Sequence, residues 1–435
     1  MSSLWLPFRR VRFQRRSHGN SVRILFITDN FPPETNAAAI RTYDHARIWL
    51  KLGHEVTIIT GVPNFPMGKV FHGYKNKLAQ MEMMDGIRVV RMWTYIAPNR
   101  GVFKRMLDFA SFMVSATIGG LFVPRPDVVI ATSPQFLTSI AGWALAKIKG
   151  CPFIFELRDL WPESILAIEA LKGGYLIRLL ERLTYFIYTQ AHIIISVTES
   201  FKTVLTGMGI PEGKIHVVKN GVLLEAVRPT RDKATVRTAY CLRQDAFLVG
   251  YVGTIGMAHG LATILEAARL IQNDHCLHFV LMGNGADKQH LTEQAQAQGL
   301  HNITFLDRAP HKDAINLLGA LDVALILLKN TPLFRTVIPS KIFEAMALGR
   351  PIILGAKGES LDLIEEHQCG IGTEPEDATA LVENIRRLQE DNQLYWAMSK
   401  RGKKAIKEKY NREELARKML EIIEDYLGGR DWSRR

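Results

Sequence analysis

The strongest constraint on how this chain can fold is a pattern that occurs twice. Residues 22–28 read VRILFIT and residues 247–252 read FLVGYV, each followed by a loop and then by a helical period. Runs apolar at nearly every position suit strands covered on both faces, as in a parallel sheet flanked by helices. Further apolar runs follow the first at 55–60, 87–92, 127–131, 152–157 and 192–197, and the second at 277–282, 303–306, 323–328 and 351–354. Strand–loop–helix alternation implies parallel sheets with right-handed crossovers. The 435 residues are too many for one ordinary core. Residues 221–234 (GVLLEAVRPTRDKA), with Pro229, scattered charge and no period, break the two series. The expected organisation is a basic tail at 1–21, a Rossmann-like domain at 22–225, a linker at 226–235 and a second Rossmann-like domain at 236–410. A helix at 411–428, stopped by Gly428 and Gly429, is expected to pack back toward the first domain.

Hydrophobic content of 47% and charged content of 23% fit a globular chain. The net charge of +12 favours polyanions, but no nucleic-acid motif accompanies it, so nucleic acid is not an expected partner. Part of the excess is local. Arg9, Arg10, Arg12, Arg15 and Arg16 precede the first acid, Asp29, while Arg434 and Arg435 end the chain. These ends read either as solvated tails or, with Trp5, Phe8 and Phe13, as an anchor for an anionic membrane interface. The start lacks the apolar stretch and cleavage site of a signal peptide. Cys151, Cys241, Cys276 and Cys369 form no CxxC and no zinc spacing, and read as small buried hydrophobes in a reducing compartment. No run of about 20 apolar residues spans a bilayer. The nearest, residues 109–123, reads as one helix interrupted by Gly119 and Gly120. It is either buried in the domain or a face dipping into lipid, with Lys104 and Arg105 at its start.

In such sheets ligands bind beyond the carboxyl ends of strands, and two facing domains would enclose a deep cleft there. After the first strand, residues 28–39 (TDNFPPETNAAA) join a proline-stiffened loop to a helix start whose N–H groups suit an anion. After residue 252, Gly253, Thr254 and Gly256 permit close backbone approach to a diphosphate, although the spacing is not GxGxxG. Gly283, Asn284 and Gly285 follow the next strand in the same way. Residues 334–351 (FRTVIPSKIFEAMALGRP) read as loop, helix start at Pro339, short helix, glycine stop and strand. There Ser340 and Lys341 offer a hydroxyl and a cation to phosphate oxygens, and Glu344, one turn on, could accept both hydroxyls of a ribose. An exposed amphipathic helix is the alternative. Residues 155–164 (FELRDLWPES) cluster Glu156, Arg158, Asp159 and Trp161 at a strand end, as a site or as a salt-bridged turn.

Together PSKIFEAMALGRPI, VGYVGTIG, MGNGAD and RDLWPES resemble glycosyltransferase family four, of GT-B fold, over about residues 22–425. Within it the chain is most similar to the WbuB-like group of O-antigen and capsule transferases, which includes N-acetyl-L-fucosamine transferases. The resemblance implies that Glu344 binds the donor ribose. It implies that the loop before Lys341, which carries Ile338, Pro339 and Ser340, holds the diphosphate with backbone amides. It also implies that Asp307 and Arg308 sit where the base is read, and that the loop carrying Asn36 closes over donor phosphates. Three positions depart from the family pattern. Thr336 stands where a glutamate usually contacts the donor sugar, Asn36-Ala37 replaces Gly-Gly, and His259-Gly260 replaces Lys-Gly. The diphosphate then needs another cation, Lys341 first and Arg335 second.

The implied reaction is retaining transfer from a UDP-sugar, UDP-N-acetyl-L-fucosamine being one candidate, to a lipid-diphosphate-linked saccharide at the inner face of the cytoplasmic membrane. The nucleotide-sugar is a co-substrate, and no cofactor is expected. The sequence contains no Asp-x-Asp, so helix N-termini and cations are expected to stabilise the leaving diphosphate without a metal. Asp159 is the candidate that positions or deprotonates the acceptor hydroxyl, with Glu156 and Lys341 as the other catalytic candidates. The rival readings are a nucleotide-sugar epimerase of the same architecture and an NAD-dependent oxidoreductase. The latter lacks an acid at the end of residues 56–61 (VTIITG).

Overall fold

The computed structural model describes residues 21–96, 102–162 and 174–429. The arginine-rich start with Trp5, Phe8 and Phe13, the final arginines, and Glu163 and Ser164 lie outside the described residues. The described chain forms two compact units. One comprises the residues up to Lys219 together with those from Glu413 onward, and the other is Asn220–Arg412.

The first unit is built on an eight-stranded sheet ordered β3-β4-β2-β1-β5-β6-β7-β8. Its strands are β1 (Arg23–Ile27), β2 (Glu55–Gly61), β3 (Ala79–Met84), β4 (Ile87–Met92), β5 (Val128–Thr132), β6 (Phe153–Leu157), β7 (Ile193–Ser196) and β8 (Ile215–Val217). All run parallel except β3, which pairs antiparallel with β4 at the edge. The second unit carries β9 (Phe247–Val252), β10 (Leu277–Met282), β11 (Ile303–Leu306), β12 (Val323–Leu327), β13 (Ile352–Gly355) and β14 (Gly370–Gly372). This all-parallel sheet is ordered β11-β10-β9-β12-β13-β14. Both sheets reverse direction of build beside their first strand, between β1 and β5 and between β9 and β12. In a doubly wound sheet the crevice opens at that switch point.

The apolar runs form strands because helices cover both faces. Every residue of β5, β6, β7, β12 and β13 is buried. The helix Val102–Leu121 begins earlier than the sequence suggests and is neither wholly buried nor wholly exposed. Phe112, Ala116, Gly119 and Gly120 face inward, whereas Leu107, Val114, Ile118 and Leu121 are exposed. A side chain at Gly119 would collide with Met92, and one at Gly120 with Leu145, so the two glycines let the helix lie close on its neighbours. In the helix Arg412–Gly428, Leu415, Met419, Leu420 and Ile423 recur at helical spacing and join the core of Ile24, Trp49 and Val56. The Trp49 Nε1 donates to the Ala416 carbonyl at 2.8 Å.

Two expectations change. Residues 226–235 are not all linker. Asp232 caps a helix, Lys233–Ala239, that belongs to the second unit. The cysteines are not all buried, because Cys241 follows that helix and Cys276 precedes β10, both on exposed connections. The helix Lys233–Ala239 is fixed by Asp322, which accepts from Lys233 Nζ at 2.5 Å, Arg237 Nη2 at 2.7 Å and the Leu248 N–H at 2.8 Å. Arg237 is 2% exposed. Asp322→Ala would strand its guanidinium charge and is expected to destabilise the protein by about 3–5 kcal/mol in denaturant unfolding. A change under ~1 kcal/mol would contradict this placement of the charge.

Candidate active site

The loop leaving β9 and the loop leaving β10 pack on each other. The Gly253 N–H donates to the Met282 carbonyl at 2.9 Å and the Ile255 N–H to the Asn284 carbonyl at 3.0 Å. A side chain at Gly283 would strike the Gly253 carbonyl, and one at Gly285 the Ile255 carbonyl. These two glycines are thus required by contact between loops, a reason independent of any ligand. The Asn284 Oδ1 accepts from the Gly285 N–H at 2.9 Å. Thr254 offers its carbonyl to the Tyr251 hydroxyl at 2.6 Å, which turns the Tyr251 ring across the end of β9. Gly256 precedes the 3-10 turn Met257–His259.

Lys341 opens the helix Lys341–Leu348, which follows Ile338, Pro339 and Ser340. Ser340 makes no side-chain cap, while the Ile342 N–H donates to the Pro339 carbonyl at 3.0 Å and the Phe343 N–H to the Ser340 carbonyl at 3.1 Å. The Lys341 Nζ is withdrawn from solvent and has no hydrogen-bond partner. It lies 3.8 Å from the centroid of the Tyr251 ring, and a Cβ at Gly253 would come within 2.6 Å of it. Gly253 therefore makes the space that the ammonium occupies. Burial pulls the Lys341 pKa down to about 7, with Glu344 opposing the fall. The ring face gives partial compensation, worth roughly 0.5–2 kcal/mol, and Glu344 acts on the charge without a direct hydrogen bond or ion pair to it. His259 does not share the charge. Burial and then Lys341 lower its pKa to about 4, and its Nδ1 sits 3.3 Å from the Leu327 carbonyl.

One turn on, the Glu344 Oε1 lies 3.2 Å from His311 Nε2. The sequence singled out no role for His311, and nothing in the order of residues links positions 33 apart. The structure thus brings Tyr251, Gly253, His259, Lys341, Glu344 and His311 together. Arg335 is exposed and donates to the Asn330 Oδ1 at 3.3 Å. Thr336 donates its hydroxyl to the Leu333 carbonyl at 2.8 Å. Arg308 is exposed after β11, the outer strand, and its neighbour Asp307 pairs with Lys288 at 2.6 Å.

In the first unit, Asn36 is the helix cap of Ala37–Lys51. Its Oδ1 accepts from the Ala39 N–H at 2.9 Å and its Nδ2 donates to the Asn30 Oδ1 at 2.5 Å. Glu34 locks the same loop by accepting from the Asn64 and Phe65 N–H groups at 2.9 and 2.8 Å. Glu156 lies in the core, paired with Arg41 at 2.8 Å, and both side chains are 1% exposed. Burial opposes its charge, but Arg41 and Arg158 hold its pKa below the ordinary value. Arg41 also donates to the carbonyls of Val218 and Lys219, both at 3.1 Å. This pair ties a helix to the end of β6 and to the chain leaving β8, and the Glu156 Oε2 is buried without a hydrogen-bond partner. Asp159 differs. It is half-buried, and burial raises its pKa to about 6, with Arg158 opposing. The Arg158 and Asp159 N–H groups donate to Ser133 Oγ at 2.7 and 3.2 Å, which joins the loops after β5 and β6. Trp161 stacks on Phe136 at 5.9 Å. Asp29 was given no role by the sequence, although it directly follows the first strand's run. Burial, then Asp108 and Glu34, raise its pKa well above the carboxylate range. Among the described residues no group of three or more His, Cys, Asp or Glu is placed to hold a metal ion.

The Lys341 charge has a consequence for stability. The folded protein releases this proton near pH 7, whereas an unfolded chain holds it to about 10.4. The penalty on folding is therefore complete below pH 7 and fades as pH rises toward 10. Without nucleotide, Lys341→Met is expected to melt higher than wild type at pH 6.5, by on the order of 5 °C, with the gap closing by pH 9.5. A variant melting at or below wild type at pH 6.5 would contradict a buried, unpaired ammonium.

With this geometry in place, comparison with known proteins is informative. Residues 36–221 match the family described as glycosyl transferase 4-like domain, and residues 232–405 match glycosyl transferases group 1. A putative colanic acid biosynthesis glycosyl transferase of Escherichia coli, WcaI, is 25% identical over 84% of this chain and 92% of its own length. Among solved structures, the sucrose-phosphate synthase of Thermosynechococcus elongatus aligns with a TM-score of 0.76 at 17% identity, covering 94% of this chain and 99% of that one. Anabaena HepE in complex with UDP-glucose aligns at 0.71 with 16% identity, covering 93% of this chain and 100% of that one. At these identities the structures show the fold alone, which is GT-B, two Rossmann-like domains with parallel sheets. By its two matched domains and its relatives, the chain belongs to the family-four-like and group 1 glycosyltransferases.

Proposed function

We propose that this glycosyltransferase moves a sugar, with retention and without a metal, from a UDP-sugar to a lipid-diphosphate-linked glycan, in the building of a surface polysaccharide. The observation that carries the reading is the Lys341 ammonium, buried beside a helix N-terminus with no hydrogen-bond or ion-pair partner in direct contact. A nucleoside diphosphate supplies that partner. Glu344 accepts the ribose hydroxyls, and the loop of Ile338, Pro339 and Ser340 lines the diphosphate, with the N–H groups of Ile338 and Ser340 as its donors. Arg335 and Arg308, both exposed, reach the donor's outer parts. The relative named for colanic acid biosynthesis and the neighbour holding UDP-glucose support this donor class and pathway type. The relatives are named as transferases, and nothing in them favours an epimerase. N-acetyl-L-fucosamine as the donor sugar rests on the WbuB-like resemblance.

In the reaction, the bond between the sugar C1 and the diphosphate oxygen breaks while the acceptor oxygen bonds to C1 from the same face. The acceptor proton passes to the departing phosphate oxygen, and the products are the nucleoside diphosphate and the extended glycan. Negative charge grows on the diphosphate as the bond breaks, so a fixed cation in a dry site stabilises the transition state more than the ground state. Asp159, with a pKa of about 6, orients the acceptor hydroxyl through its carboxylate. The membrane reading is supported by the exposed apolar face Leu107, Val114, Ile118 and Leu121, with exposed Lys104 and Arg105 at the helix start. No described helix is long and apolar enough to cross a membrane. The attachment proposed is a peripheral one, at the inner face of the cytoplasmic membrane, where the exposed cations and apolar side chains of this helix would meet an anionic surface.

Lys341→Ala is expected to lower kcat by roughly 100-fold or more with a smaller change in KM, and EDTA to leave the rate unchanged. Near-wild-type turnover would move the phosphate role to Arg335. Activity lost in EDTA and restored by magnesium would overturn the metal-free mechanism. In liposome co-sedimentation, the full chain is expected to bind anionic vesicles and to release from them in high salt. Absence of sedimentation at low salt with anionic vesicles would remove the membrane from the account.

A further inference from the structure

Lys341 and Glu344 stand three residues apart on one helix, a spacing that sets their side chains on the same face. Opposite charges so placed attract, and more strongly where water is excluded. Yet among the described residues no ion pair joins them. Each makes a separate contact. The Lys341 Nζ lies 3.8 Å from the Tyr251 ring centroid without a hydrogen-bond partner, and the Glu344 Oε1 lies 3.2 Å from His311 Nε2. An ionised carboxylate only accepts, so His311 donates through Nε2, whether as imidazole or imidazolium. The His311 and Glu344 side chains are 33% and 28% exposed, so the pair remains open to a ligand.

We propose that His311 is a positioning residue for the donor: by holding one oxygen of Glu344 it prevents the carboxylate from neutralising Lys341, and so keeps Glu344 for the ribose and Lys341 for the diphosphate. The inference rests on the reading that Glu344 takes the ribose. His311 achieves this from the first turn of its own helix, His311–Ala320: the Tyr251 ring face takes the cation and the His311 N–H takes the anion. Without His311, Lys341, which already feels the Glu344 charge, is an opposite charge available to Glu344. Their pairing would occupy both groups that the donor needs.

The test uses the full-length enzyme and calorimetric Kd values for UDP and 2′-deoxy-UDP. Wild type is expected to prefer UDP by about tenfold or more, the value of a hydrogen bond to a charged acceptor. In His311→Ala, shown to be folded by its thermal melt, the preference should fall below about threefold. His311→Gln, whose amide keeps a donor, should recover a clear part of it. A wild-type ratio near one would contradict the ribose role of Glu344 itself. A strong wild-type preference retained in His311→Ala would leave that role standing and overturn the role of His311. A Gln variant that discriminates no better than the Ala variant would assign the effect to packing and also overturn it.

Discussion

An ammonium held out of water with no anion in direct contact is costly, because the charge loses hydration and gains only weak partners in return. In this protein Lys341 is held in that way, and several features of the second unit converge on it. The parallel sheet ends β9 beside the helix that Lys341 opens, Gly253 leaves the volume that Nζ enters, and the Tyr251 ring covers one side. The histidine at 259 stays neutral beside it and adds no second charge. A fold that retained this arrangement for packing alone would be better served by methionine. The unbalanced charge makes sense as half of an ion pair whose other half is a ligand.

The first unit shows the contrasting case. Glu156 is more deeply enclosed than Lys341, yet Arg41 neutralises it at 2.8 Å, and two main-chain carbonyls occupy the rest of the guanidinium. That pair joins strands to a helix, although the Glu156 Oε2 is buried without a hydrogen-bond partner. Asp159, three residues further, is only half-buried, has a raised pKa and sits on a loop fixed by Ser133. Whether a buried charge has its partner inside the protein separates the residues that build the scaffold from those that await a substrate.

Much of the scaffold was legible in the sequence, because strands covered on both faces are apolar throughout. Phe247–Val252, Leu277–Met282 and Ile87–Met92 fall where their runs end. β3 escaped notice because an edge strand wet on one face, AQMEMM, is less apolar, and β8 and β14 because three residues carry no period. Lys341 and Glu344 were legible as a cation and an acid at a helix start after a proline. Their supports were not. His311 and Tyr251 come from other elements, and only folding brings them to that helix. The glycines at 283 and 285 have a second requirement that the sequence does not show, since an adjoining carbonyl excludes a Cβ as a ligand would. The Arg41 partner of Glu156 was equally hidden, because a strand end does not reveal which of its side chains points inward.

The central claim is that Lys341 meets the donor diphosphate. It is tested most directly by the protons taken up when UDP binds, measured calorimetrically at pH 8 in two buffers of different ionisation enthalpy. With a pKa of about 7, Lys341 is mostly neutral at that pH, and a diphosphate beside it must draw a proton onto it. The account predicts uptake of close to one proton by wild type and none by Lys341→Met. Binding without proton uptake, or equal uptake by both proteins, would contradict it.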